Sequence, residues 1–359
     1  MARPFGLVPL HGRYILAKPA RVYCIIGRFF SNLSRHPTMN RRKTSVASRL
    51  LARRAADLKR HVPDAIGGSS HGIHQARVAS RRLREAIPVL ASGIKGTKAR
   101  KALGKIRRLT RALGPVRELD VTIELLDGLV RKDTLPRPAL EAVRGRVVTE
   151  REDRRTVVIK RLDQVNLSKL ERRLTSMGEL LAETASEAWR DALGARVLKR
   201  SKALAKAMAA AGHMYAPEQL HQVRIAAKKL RYAMELAYDA RIKSASAPVR
   251  TVKRAQETLG RLHDLQVLQT HVAAVQAHAG RALPDAGLAI VSRALEDECR
   301  HLHAGYVSMI PKLTEVIEQA RTAVVPELAH RARALKMTLK ARPARRTTTR
   351  TRRVAAEVA

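Results

Sequence analysis

Residues 73–84 read IHQARVASRRLR, and residues 220–231 read LHQVRIAAKKLR. His, Gln, Arg, Ala, Leu and Arg are identical in register, and every other pair is conservative. A second pair of segments follows each copy at a similar distance: LGPVRELDV at 113–121 and LGRLHDLQV at 259–267. Order and spacing recur at an offset of about 147 residues. A duplication of this kind constrains the chain to two halves of one design. The split is expected near residue 185, with a first half at about 43–185 and a second at about 186–325.

The halves read as all-α. From Thr44 onward strong helix formers dominate, and apolar residues recur three and four apart, as in Val46-Leu50-Leu51-Ala55-Leu58 and Leu220-Val223-Ala227-Leu230-Met234. Alternation over a strand-length window is hard to find. Breaks at Gly67-Gly68, Gly93, Gly96, Pro136, Pro138, Gly212, Pro217, Pro248, Gly280 and Pro284 cut the chain into ten or more helices. Residues 326–340 read as a terminal helix. Residues 341–359, rich in Arg and Thr, read as a disordered basic tail. Residues 1–42 hold no acid and only short, broken apolar runs, and are expected to be an extension outside the fold, either disordered or upstream of a true start at Met39.

At 100° per residue, His74, Arg77, Arg81 and Arg84 fall within about a quarter of the helix circumference. Ile73, Ala76, Leu83, Ile87 and Leu90 occupy the other side. His221, Arg224, Lys228 and Arg231 form the same stripe in the second copy, while Arg82 and Lys229 sit off it. A basic amphipathic helix is ordinarily just a solvated face. Packing alone, however, gives no reason to repeat His-x-x-Arg-x-x-x-Lys/Arg-x-x-Arg in register. The cations climb about 5.4 Å per turn, which suits a chain of phosphates lying along the helix. The two histidines are expected at the rim, where partial protonation would aid anion binding.

Composition narrows the partner. The chain of 359 residues carries 71 Lys+Arg against 31 Asp+Glu, a formal net charge of +40. Such a charge repels itself unless an anion is near. A hydrophobic share of 45% excludes a merely disordered basic tail. Aromatic residues at 3% are a poor supply for base stacking. No stretch approaches the roughly 18 apolar residues of a membrane span. Cys24 and Cys299 offer neither a disulfide framework nor a zinc site, and fit a reducing, cytoplasmic setting.

On these residues the chain resembles the CHAD domain, the conserved histidine α-helical domain. The repeated His-x-x-Arg helices, the second ending Lys-Lys-Leu-Arg-Tyr at 228–232, and the two Leu-Gly…Asp segments carry the resemblance over about residues 43–325. It implies two antiparallel four-helix bundles related by pseudo-twofold symmetry around a basic central groove. It also implies binding of inorganic polyphosphate and location at polyphosphate granules. The anion-binding positions so implied are His74, Arg77, Arg81, Arg82 and Arg84 in the first copy. In the second they are His221, Arg224, Lys228, Lys229 and Arg231. The second block departs from the family's Leu-Gly-x-x-Arg-Asp-x-Asp: Glu118 replaces an Asp, His263 the Arg and Gln266 the last Asp. Arg117 is expected to reach the anion, and Glu118, Asp120 and Asp264 to orient cations. Of the cluster Lys105, Arg107, Arg108 and Arg111, one face, with Arg108, is expected to join the basic surface.

No catalysis, cofactor or metal is expected. The nearest match to the Glu-x-Glu-x-Lys signature of a triphosphate tunnel enzyme is Glu296-Asp297-Glu298-Cys299-Arg300, in helical context and ending in Arg. No Walker loop or Gly-x-Ser-x-Gly elbow occurs. The rival reading is a nucleic-acid or general polyanion binder aided by the basic tail. Against it stands a stripe whose only base-reading amides, Gln75 and Gln222, point away from the arginines.

Overall fold

The computed structural model describes residues 45–94, 96–163, 165–184, 187–278 and 285–340. Every regular element among them is helical, as the periodicity requires. The first six helices are α1 (Val46–Ile66), α2 (Ser70–Leu90), α3 (Lys98–Ala112), α4 (Gly114–Lys132), α5 (Arg137–Asp163) and α6 (Leu167–Thr184). They are followed by α7 (Ala188–Ala211), α8 (Pro217–Asp239), α9 (Ser246–His278), α10 (Asp285–Gln319) and α11 (Val325–Lys340). A 3-10 turn, Lys243–Ala245, precedes α9, and a π turn, Ala320–Val324, joins α10 to α11. The N-terminal extension, the basic tail and the split at 185–186 lie outside the described residues.

Local chemistry sets the helix ends. Ser45 Oγ accepts the Ser48 N–H at 3.1 Å to cap α1, and Ser69 Oγ accepts the Gly72 N–H at 3.2 Å to cap α2. α8 opens on Pro217, whose missing N–H costs nothing in the first turn. Asp133 and Gly212, with φ of 51° and 57°, end α4 and α7. The repeat shows in the element order: α1 and α2 correspond to α7 and α8, and the α3–α4 pair to the single helix α9. They differ because Pro115 lacks the N–H that would bond back to Arg111 and interrupts the helix there. The second copy has Arg261 in its place, and α9 runs on unbroken for 33 residues.

The packing forms two apolar cores, and neither coincides with one repeat. The larger draws on α1, α2, α3, the C-terminal part of α5 and α6 together with α7, α8, the first half of α9, the later part of α10 and α11. It crosses the split through contacts of α2 with α7 and α8. The smaller core is built from α4, α5, the second half of α9 and the first half of α10. α9 passes from one core to the other between Leu262 and Leu265, and the α3–α4 arm does so between Val116 and Leu119.

Polar ties fix α2 against the second repeat. Glu85, buried on α2, takes two hydrogen bonds from Arg200 of α7, at 2.6 and 3.0 Å, with Arg196 at 3.5 Å. Arg82 Nε donates to Glu235 of α8 at 2.9 Å. Arg54 of α1, 4% exposed, reaches Asp239 of α8 at 2.8 Å. Breaking such buried pairs by removing one partner costs about 3–5 kcal/mol, whereas their net contribution is small.

α1 and α2 approach closely at Gly72, where a Cβ would stand 2.5 Å from Asp64 Cβ. Gly72→Ala therefore forces the two helices apart and should cost about 1–3 kcal/mol in urea unfolding. Gly104, whose Cβ would meet nothing within 4 Å, sits inside α3. Gly104→Ala should stabilise by about 0.5–1 kcal/mol in the same measurement.

Candidate anion-binding site

The two repeated helices bring their basic stripes together. Arg77 and Arg81 of α2 and Arg224 and Lys228 of α8 act on one another electrostatically. Burial pushes the Arg77 guanidinium down to about 10; Arg81 and Arg224 add to this and Glu118 opposes it. Burial likewise lowers Lys228 to about 6, followed by Arg224, Arg81 and Arg77, with Asp264 pulling the other way. Arg224 is lowered by burial and by Arg81 against the pull of Asp264. Among the described residues it pairs through Nη2 with Asp264 Oδ1 at 3.6 Å, and its buried Nε has no hydrogen-bond partner. Three guanidinium cations, with a lysine that burial and their charge keep largely unprotonated, thus face too few acids, and one of the guanidinium N–H groups is unpaired.

The cluster lies where the chain crosses between the two cores. Arg117–Glu118 and His263–Asp264, the repeat-related pairs of the second motif block, fall at the two crossing points. Apolar packing on both sides aims these four side chains into the junction. The neighbouring Leu-Gly has a specific reason in the first copy: a Cβ on Gly114 would stand 2.9 Å from Arg77 Nη1. Arg77 passes over this glycine and donates Nη1 to Thr110 O at 3.0 Å, a carbonyl in the last turn of α3. Gly260, its counterpart, has nothing within 4 Å.

The histidines behave differently from the expectation. His74 is held below the ordinary imidazole range by burial and then by Arg117. His221 is lowered by burial and Arg224, and His263 is pushed down to about 3 by burial, Arg224 and His221. Without an anion these rings are neutral at pH 7, because burial disfavours the charged form and the cations around them add to that. His221 and His263 lie tilted at 44° with centroids 4.6 Å apart and Nδ1 atoms 3.3 Å apart, one donating and one accepting. His263 was legible only as the partner of Arg117 in the repeat; its contact with His221 needed the fold.

The remaining expected positions divide. Arg84 is exposed at the end of the α2 stripe, lowered by burial, Arg81 and Arg107, with Arg111 also close. Arg117 pairs with Glu124 at 3.1 Å and lies near His74. Arg82, off the stripe as its spacing predicts, directs its guanidinium to Glu235. Burial opposes its charge, but the pull and hydrogen bond of that carboxylate raise its pKa overall. Arg231 also leans on Glu235, at 3.5 Å, and covers the ring of buried Tyr232 at 5.2 Å. Lys229 is exposed and is not among the charges that dominate the cluster. Arg108 acts on Lys105, as do Lys169 and Arg173, while Arg107 and Arg111 act on Arg84. Asp120, buried, holds Arg151 at 2.7 Å, and Arg151 reaches Gly68 O at 3.3 Å. It braces α4 against α5 and the α1–α2 turn.

The described residues contain no group of three His, Cys, Asp or Glu placed to hold a metal. No described helix is long and apolar enough to cross a membrane. Arg300 pairs with Asp297 and Glu296 along the exposed face of α10, an ordinary helical ion-pair set. Cys299 is buried in the smaller core.

The chain is similar in structure to the crystal structure of the CHAD domain from the plant Ricinus communis, with a TM-score of 0.50 and 21% identity over 78% of this chain and 93% of that one. PptA from Streptomyces chartreusis aligns with a TM-score of 0.46 and 18% identity over 77% and 97%. No curated protein sequence matches. The family model of the CHAD domain matches residues 43–273, a span that contains both repeated helices, both Leu-Gly segments and all four cations of the cluster, and the chain belongs to that family.

Proposed function

We propose that this protein binds inorganic polyphosphate at the α2–α8 cluster, as a binding protein rather than an enzyme, in the cytoplasm and at polyphosphate granules. The observation that carries the reading is the convergence of Arg77, Arg81, Arg224 and Lys228, one pair from each repeat, with too few carboxylates to neutralise them. Only a ligand with closely spaced negative charges along its length relieves all four at once. Guanidinium forks at Arg77, Arg81 and Arg224 grip phosphate oxygens, and Arg224 Nε gains the partner it lacks. Lys228 takes up a proton as the anion arrives. Each bound phosphate displaces condensed counterions, so affinity falls linearly with salt on logarithmic axes.

Converting Arg77, Arg81 and Arg224 to Gln and Lys228 to Met should weaken polyphosphate binding at least about a hundredfold, since each charge-assisted bond contributes about 1.5–3 kcal/mol. Competition against duplex DNA at equal total phosphate separates the nucleic-acid alternative. Ready displacement by DNA, with the variant still binding like wild type, would overturn the reading. Pyrophosphate, with few contacts, should bind far more weakly than long chains.

The lowered Lys228 gives a second outcome. With a folded pKa of about 6 against 10.5 for the model side chain, the unfolded chain binds more protons between those values. Stability of the ligand-free protein therefore rises with pH across that window, and the penalty is complete below about 6. His263, at about 3 against 6.5, extends the rise to lower pH. Lys228→Met should flatten the upper part of the profile, measured by urea unfolding from pH 6 to 10. Polyphosphate binding near pH 8 should consume protons, read as a calorimetric enthalpy that changes with buffer ionisation heat, and Lys228→Met should reduce that uptake.

A further inference from the structure

A second set of cations lies on the far side of α3. Helices α3 and α6 pack antiparallel, as two hydrogen bonds show: Lys98 Nζ donates to Ser176 Oγ at 3.0 Å, and Lys105 Nζ to Val165 O at 2.6 Å. Along this seam α3 presents Lys105 and Arg108, with Lys101 one turn before Lys105 on the same face by helical spacing, and α6 presents Lys169 and Arg173. Lys101, Arg108 and Lys169 are exposed and Arg173 is half-buried. None of these four forms an ion pair with a carboxylate among the described side chains. The charges that dominate around Lys105 are Arg173, Lys169 and Arg108, all repulsive.

The seam is joined to the α2–α8 cluster by α3 itself. On the opposite edge of that helix Arg107 and Arg111 act on Arg84, the last cation of the α2 stripe. The chain holds no Asp or Glu between Glu85 and Glu118, so nothing on α3 interrupts the path. A helix with its side chains is about 10–12 Å across, a width that an extended polyanion covers with a few further units.

We propose that the α3–α6 seam is a second polyphosphate-contacting site, which a chain leaving the α2–α8 cluster past Arg84 reaches by crossing α3, so that the seam selects for chain length. This rests on the polyphosphate reading of the cluster. A short chain fills the cluster alone. A long one engages both sites, and the second contact is intramolecular, at high effective concentration.

The test uses the full chain, labelled long-chain polyphosphate and tripolyphosphate, titrated over a series of salt concentrations. The seam variant carries Lys101→Gln, Arg108→Gln, Lys169→Gln and Arg173→Gln. Lys105 is kept because it anchors Val165. A charge-matched control carries Lys199→Gln, Lys202→Gln, Lys206→Gln and Lys312→Gln, all exposed and away from both sites. The seam variant should lose tenfold or more in long-chain affinity, with a salt slope shallower by about 3. Tripolyphosphate affinity should be unchanged, and the control should move neither. Unchanged long-chain binding, equal losses for both probes, an equal loss in the control, or a loss seen only with duplex DNA would each overturn the proposal. Failure of the cluster itself shows separately: the variant altered at Arg77, Arg81, Arg224 and Lys228 would then keep its tripolyphosphate affinity.

Discussion

Mutual repulsion among the cations of α2 and α8 is the constraint that the rest of the molecule answers. Two like charges 4 Å apart cost about 1 kcal/mol in water and about 4 kcal/mol at an effective dielectric constant of 20. Helices carrying such stripes do not come together through their charges. They are forced together by the apolar faces beneath, where Ile73, Ala76, Leu83, Val223, Ala227 and Leu230 are all essentially inaccessible to water. The few acids on these helices are placed to clamp rather than to neutralise the cluster. Glu85 holds α2 to α7 and Glu235 holds α2 to α8. Both act on arginines outside the four-cation cluster, which leaves Arg77, Arg81, Arg224 and Lys228 under strain.

The location of that strain follows from how the cores divide. A single bundle per repeat would have left each basic stripe on its own outer surface. Here the arm formed by α3 and α4, and its equivalent α9, each leave the larger core and enter the smaller one. The junction between cores is where apolar side chains stop and polar ones must be accommodated. Arg117, Glu118, His263 and Asp264 occupy it, one residue pair from each repeat, beside the cations of α2 and α8. The proposed site sits at the discontinuity in the packing because that is where charged groups can be half-buried, out of bulk water yet within reach of a ligand.

Much of this was legible in the residues. The duplicated His-x-x-Arg motif identified the two helices, and 100° periodicity separated Arg77 and Arg81 from Arg82 before any coordinates. Periodicity on one helix says nothing about what lies across from it. Glu235 is 153 residues from Arg82, and only the fold makes it the sink for that charge. The choice between Arg107 and Arg108 depended on which edge of α3 meets α6, a matter of one hundred degrees of rotation. The histidines were misjudged for a related reason. An isolated imidazole titrates near neutrality, but its charge in a fold depends on the sum of its neighbours, and here burial and the neighbouring cations keep it neutral.

A site built this way couples ligand binding to folding. Whatever an anion gains by meeting three preorganised guanidinium cations and a lysine that protonates on binding, the folded chain gains equally in relief of repulsion, because the unfolded chain offers no such arrangement to bind. The strain is thus stored in the ligand-free fold and released on capture. On the proposed reading it would discriminate by density of charge along the ligand rather than by the shape of any one phosphate. A monovalent or short anion neutralises one or two cations and leaves the remainder repelling each other. On the polyphosphate reading proposed above, a continuous polymer would satisfy them all, and chain length would become the property that the protein reads.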